Sequence, residues 1–227
     1  MGCVLFLAAC GPSEQRKPEL AELKHVQCMD KFCEGDIAPK HAPNEVALKV
    51  NGQWFVGPRK YFSSANNGAS FEWWEHKPLD PGLARPAEAQ AVAVNGNGYD
   101  ISVEIILRSD LGLIKGPSRF DLLQQAEADG RLLSKTTLRP GLEMWRTVET
   151  DGRGPGLWYI ATDHVHGDRD GALLSCRESN PRFDRCVTAF HWRPGVIADM
   201  RFRGRHGADW PEIYLEAMRI LQQLKGT

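Results

Sequence analysis

Asn51-Gly52 lies between Val46-Ala-Leu-Lys-Val50 and Gln53-Trp-Phe-Val56. Both flanking runs favour extended backbone, and a two-residue Asn-Gly loop suits a type I′ turn, which needs positive φ at both positions. Such a turn ties two strands into an antiparallel hairpin and commits the start of the domain to an antiparallel sheet. The later text keeps to that plan. Phe71-Glu-Trp-Trp-Glu75 reads as a short strand after a loop at 63–70. Residues 77–91 carry three prolines and read as a connection. Tyr99, Ile101, Val103 and Ile105 alternate with polar residues, so 99–107 is a half-buried strand. Further strands are expected near 131–138, 142–149, 156–162, 171–176, 186–192 and 196–203. Arg139-Pro140-Gly141 breaks the first two, and His191–Val196 has the chemistry of a hairpin corner.

Two helices interrupt the strands. Ser118-Arg-Phe-Asp121 is a capping-box variant and Gly130 a stop, which predicts a helix over 119–129. At the C-terminus, Asp209 stands at an N-cap, Pro211 in the first turn and Glu212 at the capping-box position. Ile213, Ala217, Ile220, Leu221 and Leu224 follow with 3.6-residue periodicity. A further short helix is expected near Glu19–Lys24. The expected fold is α+β: a mainly antiparallel sheet with two capped helices, in one compact domain over 28–227. With 227 residues, the chain can bury a core of ordinary size.

The first ten residues read as an address. Leu7-Ala8-Ala9-Cys10 looks like a lipobox, in which the peptidase cuts before a cysteine that carries diacylglycerol. Residues 1–9 are then a signal remnant, and 10–27 an acylated cysteine and its flexible tether. No Lys or Arg precedes Cys10, and the apolar run is short, for which the simplest expectation is a start codon further upstream. Gly11 rather than Asp after the cysteine implies sorting to the outer membrane. Of six cysteines, Cys3 leaves with the signal and Cys10 is consumed by lipid. Cys28, Cys33, Cys176 and Cys186 remain. An even remainder fits an oxidising periplasm. Four cysteines allow three connectivities, and proximity favours Cys28–Cys33 and Cys176–Cys186. Their spacings are poor for a zinc site.

Catalytic signatures are missing from the text: no nucleophile elbow, Walker loop, metalloprotease helix or dinucleotide fingerprint. Asn95-Gly-Asn-Gly98 precedes a strand and reads as a turn. His164 and His166, with Asp168 and Asp170, are the one concentrated set of metal-type side chains, but Gly167 and Gly171 bracket a polar loop. The expectation is therefore a non-enzyme without metal or cofactor. With 28 basic and 29 acidic residues, nothing marks the chain for nucleic acid. Trp73-Trp74 is a different signal. Adjacent residues on a strand face opposite ways, so one Trp can face solvent and anchor a partner. The expected partner-binding residues are Trp73, Trp74 and Glu75 in one loop and Asp168 and Asp170 in another.

Cys28-Met-Asp-Lys-Phe-Cys33, the Val46–Phe55 hairpin with Gly57-Pro58-Arg59-Lys60-Tyr61-Phe62, and Ala208-Asp-Trp-Pro-Glu-Ile-Tyr-Leu-Glu216 together resemble small periplasmic lipoproteins that accompany type VI secretion effectors, especially phospholipase toxins. The resemblance implies an immunity protein, held at the outer membrane by lipid on Cys10, whose partner is the cognate toxin. A metal-dependent envelope hydrolase using His164, His166 and Asp168 is the competing reading, and a structural outer-membrane lipoprotein a third.

Overall fold

The computed structural model describes residues 20–95, 100–110, 119–148, 156–164, 173–177 and 184–227. The chain opens with α1 (Leu20–Asp30), β1 (Glu45–Val50), β2 (Gln53–Pro58), β3 (Phe62–Ser63), β4 (Gly68–Trp74) and β5 (Lys77–Pro78). Next come α2 (Ala87–Asn95), β6 (Ser102–Ser109), α3 (Arg119–Ala128), β7 (Leu132–Arg139), β8 (Leu142–Thr147) and β9 (Gly156–Ala161). The last elements are β10 (Leu173–Arg177), β11 (Arg185–Arg193), β12 (Val196–Arg203), α4 (Trp210–Leu221) and β13 (Lys225–Gly226). The large sheet runs β3-β4-β6-β12-β11-β10-β9-β8-β7, and β1-β2-β13 form a small one. Strand pairing is antiparallel throughout the described residues. The fold is α+β, as the sequence predicts.

The Asn51-Gly52 turn forms as expected, with φ of 50° and 73° between paired Val50 and Gln53. Two helices were not anticipated at their full extent. α1 runs to Asp30, so residues 20–27, placed in the tether by sequence, are helical. α2 lies at the end of what reads as a proline-rich connection. Pro86 immediately precedes it, where proline's fixed φ favours helix entry and its missing N–H costs nothing. The C-terminal end of α1 is fastened to the sheet. Asp30 Oδ1 accepts from the Ser109 backbone N–H at 3.0 Å, and the Met29 carbonyl accepts from the Gly52 N–H at 3.0 Å.

Each long strand of the large sheet has two unlike faces, because side chains alternate. One face carries Phe71, Trp73, Val103, Ile105, Leu107, Ala198, Met200, Phe202 and Phe190 into the core. α4 covers it with Trp210, Ile213, Ala217, Ile220 and Leu221, and β1 and β2 add Val46, Leu48, Val50 and Phe55. The second face is apolar only toward β8, β9 and β10. There Trp145, Ile160 and Leu173 meet Leu123 and Phe120 of α3. Across β4, β6, β12 and β11 the second face is mixed, with Glu72, Glu104, Asp199 and Arg201 beside half-buried Trp74, Ile106, Val187 and Ala189. Gly68 allows β4 to approach β6: a Cβ there would stand 2.0 Å from the Ile105 carbonyl oxygen. Any side chain would push the strand carrying Trp74 away from the sheet.

The two disulfides form as proximity predicts, Cys28–Cys33 and Cys176–Cys186. The second joins directly paired residues of β10 and β11, both buried.

Candidate functional site

Strand β4 decides the fate of the tryptophan pair. Phe71 and Trp73 point into the core, so Ser70, Glu72 and Trp74 point outward. Trp73 is 1% exposed, and its Nε1–H donates to Asp209 Oδ2 at 2.8 Å. It cannot be an accessible anchor, which corrects its assignment to the partner surface; the α4 side of the core takes it. Trp74 is half-buried on the outer face. Its indole N–H is shielded from solvent and has no hydrogen-bond partner. A shielded donor of this kind costs about 1–3 kcal/mol, so Trp74 sits where it is without polar reward.

Glu75 and His76 form the turn between β4 and β5, with φ of 45° and 63°. Both φ values are positive, as at Asn51-Gly52, but here one falls on Glu75, a residue that rarely adopts that region. The strain is held by Asp209, whose Oδ1 accepts from His76 Nδ1 at 2.6 Å while Oδ2 takes Trp73. Asp209 does stand at the N-cap of α4, but its carboxylate makes no capping bond to its own helix. It ties the turn to the core instead. His206 completes the cluster: it is buried, its Nδ1 lies 4.0 Å from Asp209 Oδ2, and its Nε2 bonds the Asp100 carbonyl.

The two histidines respond oppositely to pH. The hydrogen bond to Asp209 and its charge raise His76, with Glu212 and Glu75 adding to the effect. Burial lowers His206. A raised His contributes stability that is full below its unfolded value, about 6.5, and is lost as pH rises through the folded one. A lowered His does the reverse, removing stability as pH falls below about 6.5. His76→Ala should therefore lose most, relative to the parent, in mildly acidic solution and little in alkaline solution. Urea unfolding across a pH series checks this, and a pH-independent difference would refute it.

Beside the hairpin, the 79–90 segment leans over the outer face and encloses a cleft of about 410 Å³. Ser70, Glu72, Leu83, Arg85 and Ser102 are among its lining residues. Arg85 holds Glu72 through both carboxylate oxygens, with its Nε at 2.7 Å from Oε2, and reaches Gln90 from Nη1 at 3.2 Å. Leu83 is 72% exposed at the edge.

Further across the same face runs a ladder of ion pairs. Register places Glu72 opposite Ser102, Glu104 opposite Arg201, and Arg201 opposite Val187, so these residues share one face. Arg108 Nη2 meets Asp199 Oδ2 at 2.5 Å, and Arg201 Nε stands 3.3 Å from Glu104 Oε2. Asp100 is shared, with Arg203 on Oδ1 at 3.1 Å and Arg205 on Oδ2 at 2.6 Å. Arg185 is exposed and makes no ion pair with the described residues. Half-buried Ile106, Val187 and Ala189 fill the middle. Partly exposed pairs add little stability, so their effect is to hold guanidinium groups in place.

Glu75 is exposed at the turn, next to Trp74 in the chain. Asp168, Asp170 and His166 lie outside the described residues, as does Cys10. His164 ends a short turn over Thr162–His164. Among the described residues, no group of three or more His, Cys, Asp or Glu is placed to hold a metal. No described helix is long and apolar enough to cross a membrane. Sequence reasoning missed Glu104, Arg185, Arg201 and Arg203. The signal for two of them was alternation: Arg201 sits between core residues Met200 and Phe202, and Arg203 follows Phe202.

No protein-family model matches the chain, and no curated protein matches it. A solved structure similar to it is an immunity protein of the Stenotrophomonas maltophilia type IV secretion system. The two are 14% identical, the match covers 84% of this chain and 100% of that one, and the TM-score is 0.47.

Proposed function

We propose that this protein is a periplasmic immunity protein, anchored to the outer membrane through lipid on Cys10, that binds and neutralises a secreted antibacterial toxin of the type VI lipase class. The observation that carries the reading is the outer sheet face, where half-buried Trp74 and a row of oriented arginines lie together. Trp and Arg are the side chains most often found at the energetic centre of protein interfaces. The toxin class and the anchor come from the resemblance of the cysteine, hairpin and α4 segments to immunity lipoproteins. Neutralisation needs no chemistry from this chain, only a surface that covers the toxin's cleft or holds its lid. A lipid tether would keep that surface concentrated where an envelope lipase acts.

The test is calorimetry with the effector encoded by the neighbouring gene. Trp74→Ala should weaken binding about tenfold or more, the scale of a tryptophan hot spot, with circular dichroism unchanged. Trp74→Phe removes the unpartnered N–H and keeps most of the apolar surface, so it should retain most of the affinity. If both variants bind like the parent, the interface is elsewhere.

A further inference from the structure

We infer that the arginine-lined hollow between β6, β11 and β12 receives carboxylates from an acidic segment of the neutralised protein. The inference rests on the toxin-binding reading above and names the chemistry of the partner. The hollow is lined by Ser102, Glu104, Arg185, Arg201, Phe202 and Arg203, which is three guanidinium groups to one carboxylate. Arg205 adds a fourth cation through its pair with Asp100, and Asp184 flanks Arg185 in the chain. Among the described residues, four arginines stand against Asp100, Glu104 and Asp184, an excess of one positive charge, on a chain whose formal net charge is -1.

One of the arginines has open hydrogen-bonding capacity to offer. Arg185 is exposed and unpaired among the described residues, so an incoming carboxylate would displace no existing partner. Arg201 is paired with Glu104, its Nε 3.3 Å from Oε2 and shielded from solvent, so it adds positive charge to the hollow rather than an open donor. A guanidinium fork takes a carboxylate through two parallel bonds, stronger and more directional than a lysine contact. Ser102 lines both this hollow and the cleft beneath Arg85, and Trp74 stands on the same face. One partner surface, apolar against Trp74 and acidic beyond it, would engage both. Such charges act mainly on encounter rate and specificity.

The test uses the full chain, the neighbouring gene's effector, and an octaglutamate peptide with an octalysine control. Arg185→Glu should weaken effector binding about fivefold or more at low ionic strength, with the loss shrinking as salt rises. Octaglutamate should shift the amide resonances of Ser102, Glu104, Arg185 and Arg201, and octalysine should not. An effector that binds the parent and Arg185→Glu equally, with the same salt dependence, overturns the proposal. So does a face that ignores octaglutamate, or one that binds phosphatidylglycerol vesicles in its place. An effector that fails to bind the parent at all counts against the toxin reading, and the peptide shifts still decide the character of the face.

Discussion

Trp73→Ala should destabilise the fold by about 3–5 kcal/mol, the usual cost of truncating a buried tryptophan. The ring is 1% exposed and stands edge-on to Phe71, with centroids 6.4 Å apart. Truncation also strips Asp209 of its indole donor, leaving a carboxylate with little solvent to replace it. Of the two side-chain bonds at Asp209 that tie the turn to the core, only the one to His76 then remains. Trp73→Phe keeps most of the packing and should cost less, mainly the lost hydrogen bond. Urea denaturation of the two variants beside Trp74→Ala separates the roles: Trp73 loses stability, Trp74 loses binding. A Trp73→Ala protein as stable as the parent would contradict the core placement.

Removing the Cys176–Cys186 bridge should be the second large effect. The pair joins adjacent strands at the middle of the sheet, and its loop of ten residues restricts the unfolded chain by about 3 kcal/mol. The double alanine variant also leaves small voids beside buried neighbours, so a loss of about 2–5 kcal/mol is expected. The Cys28–Cys33 bridge closes a shorter loop, and its removal should cost about 2 kcal/mol. That loss should centre on α1 and its contacts with Ser109 and Gly52, leaving the large sheet intact. Denaturant midpoints give the ordering, and hydrogen exchange shows where protection is lost. If the short bridge proves the costlier, the entropic account fails for this fold.

The hairpin at Asn51-Gly52, the alternation along 99–107 and the stripe on α4 could be read directly, because each depends on neighbours a few residues away. Local backbone preference and side-chain period suffice there. α2 was hidden for a local reason too. Three prolines drew attention to a connection, although Pro86 followed by Ala-Glu-Ala-Gln-Ala is a helix start. The close cysteine pairs were also readable, since short separation along the chain makes contact probable before folding is known.

The site was of another kind. Alternation told that Trp73 and Trp74 face opposite ways, but not which one meets the core. That was decided by β6 pairing with β4 and by Asp209, 136 residues further on, accepting the Trp73 indole. Likewise Glu104 and Arg201 become neighbours only through the β6–β12 register. Their charges look like ordinary solvent-facing positions on two unrelated strands. Short-range patterns specify elements and the side each residue takes within its strand. Which side is buried, and which charges gather on the open one, depends on long-range pairing, whose partners leave no mark on the local sequence.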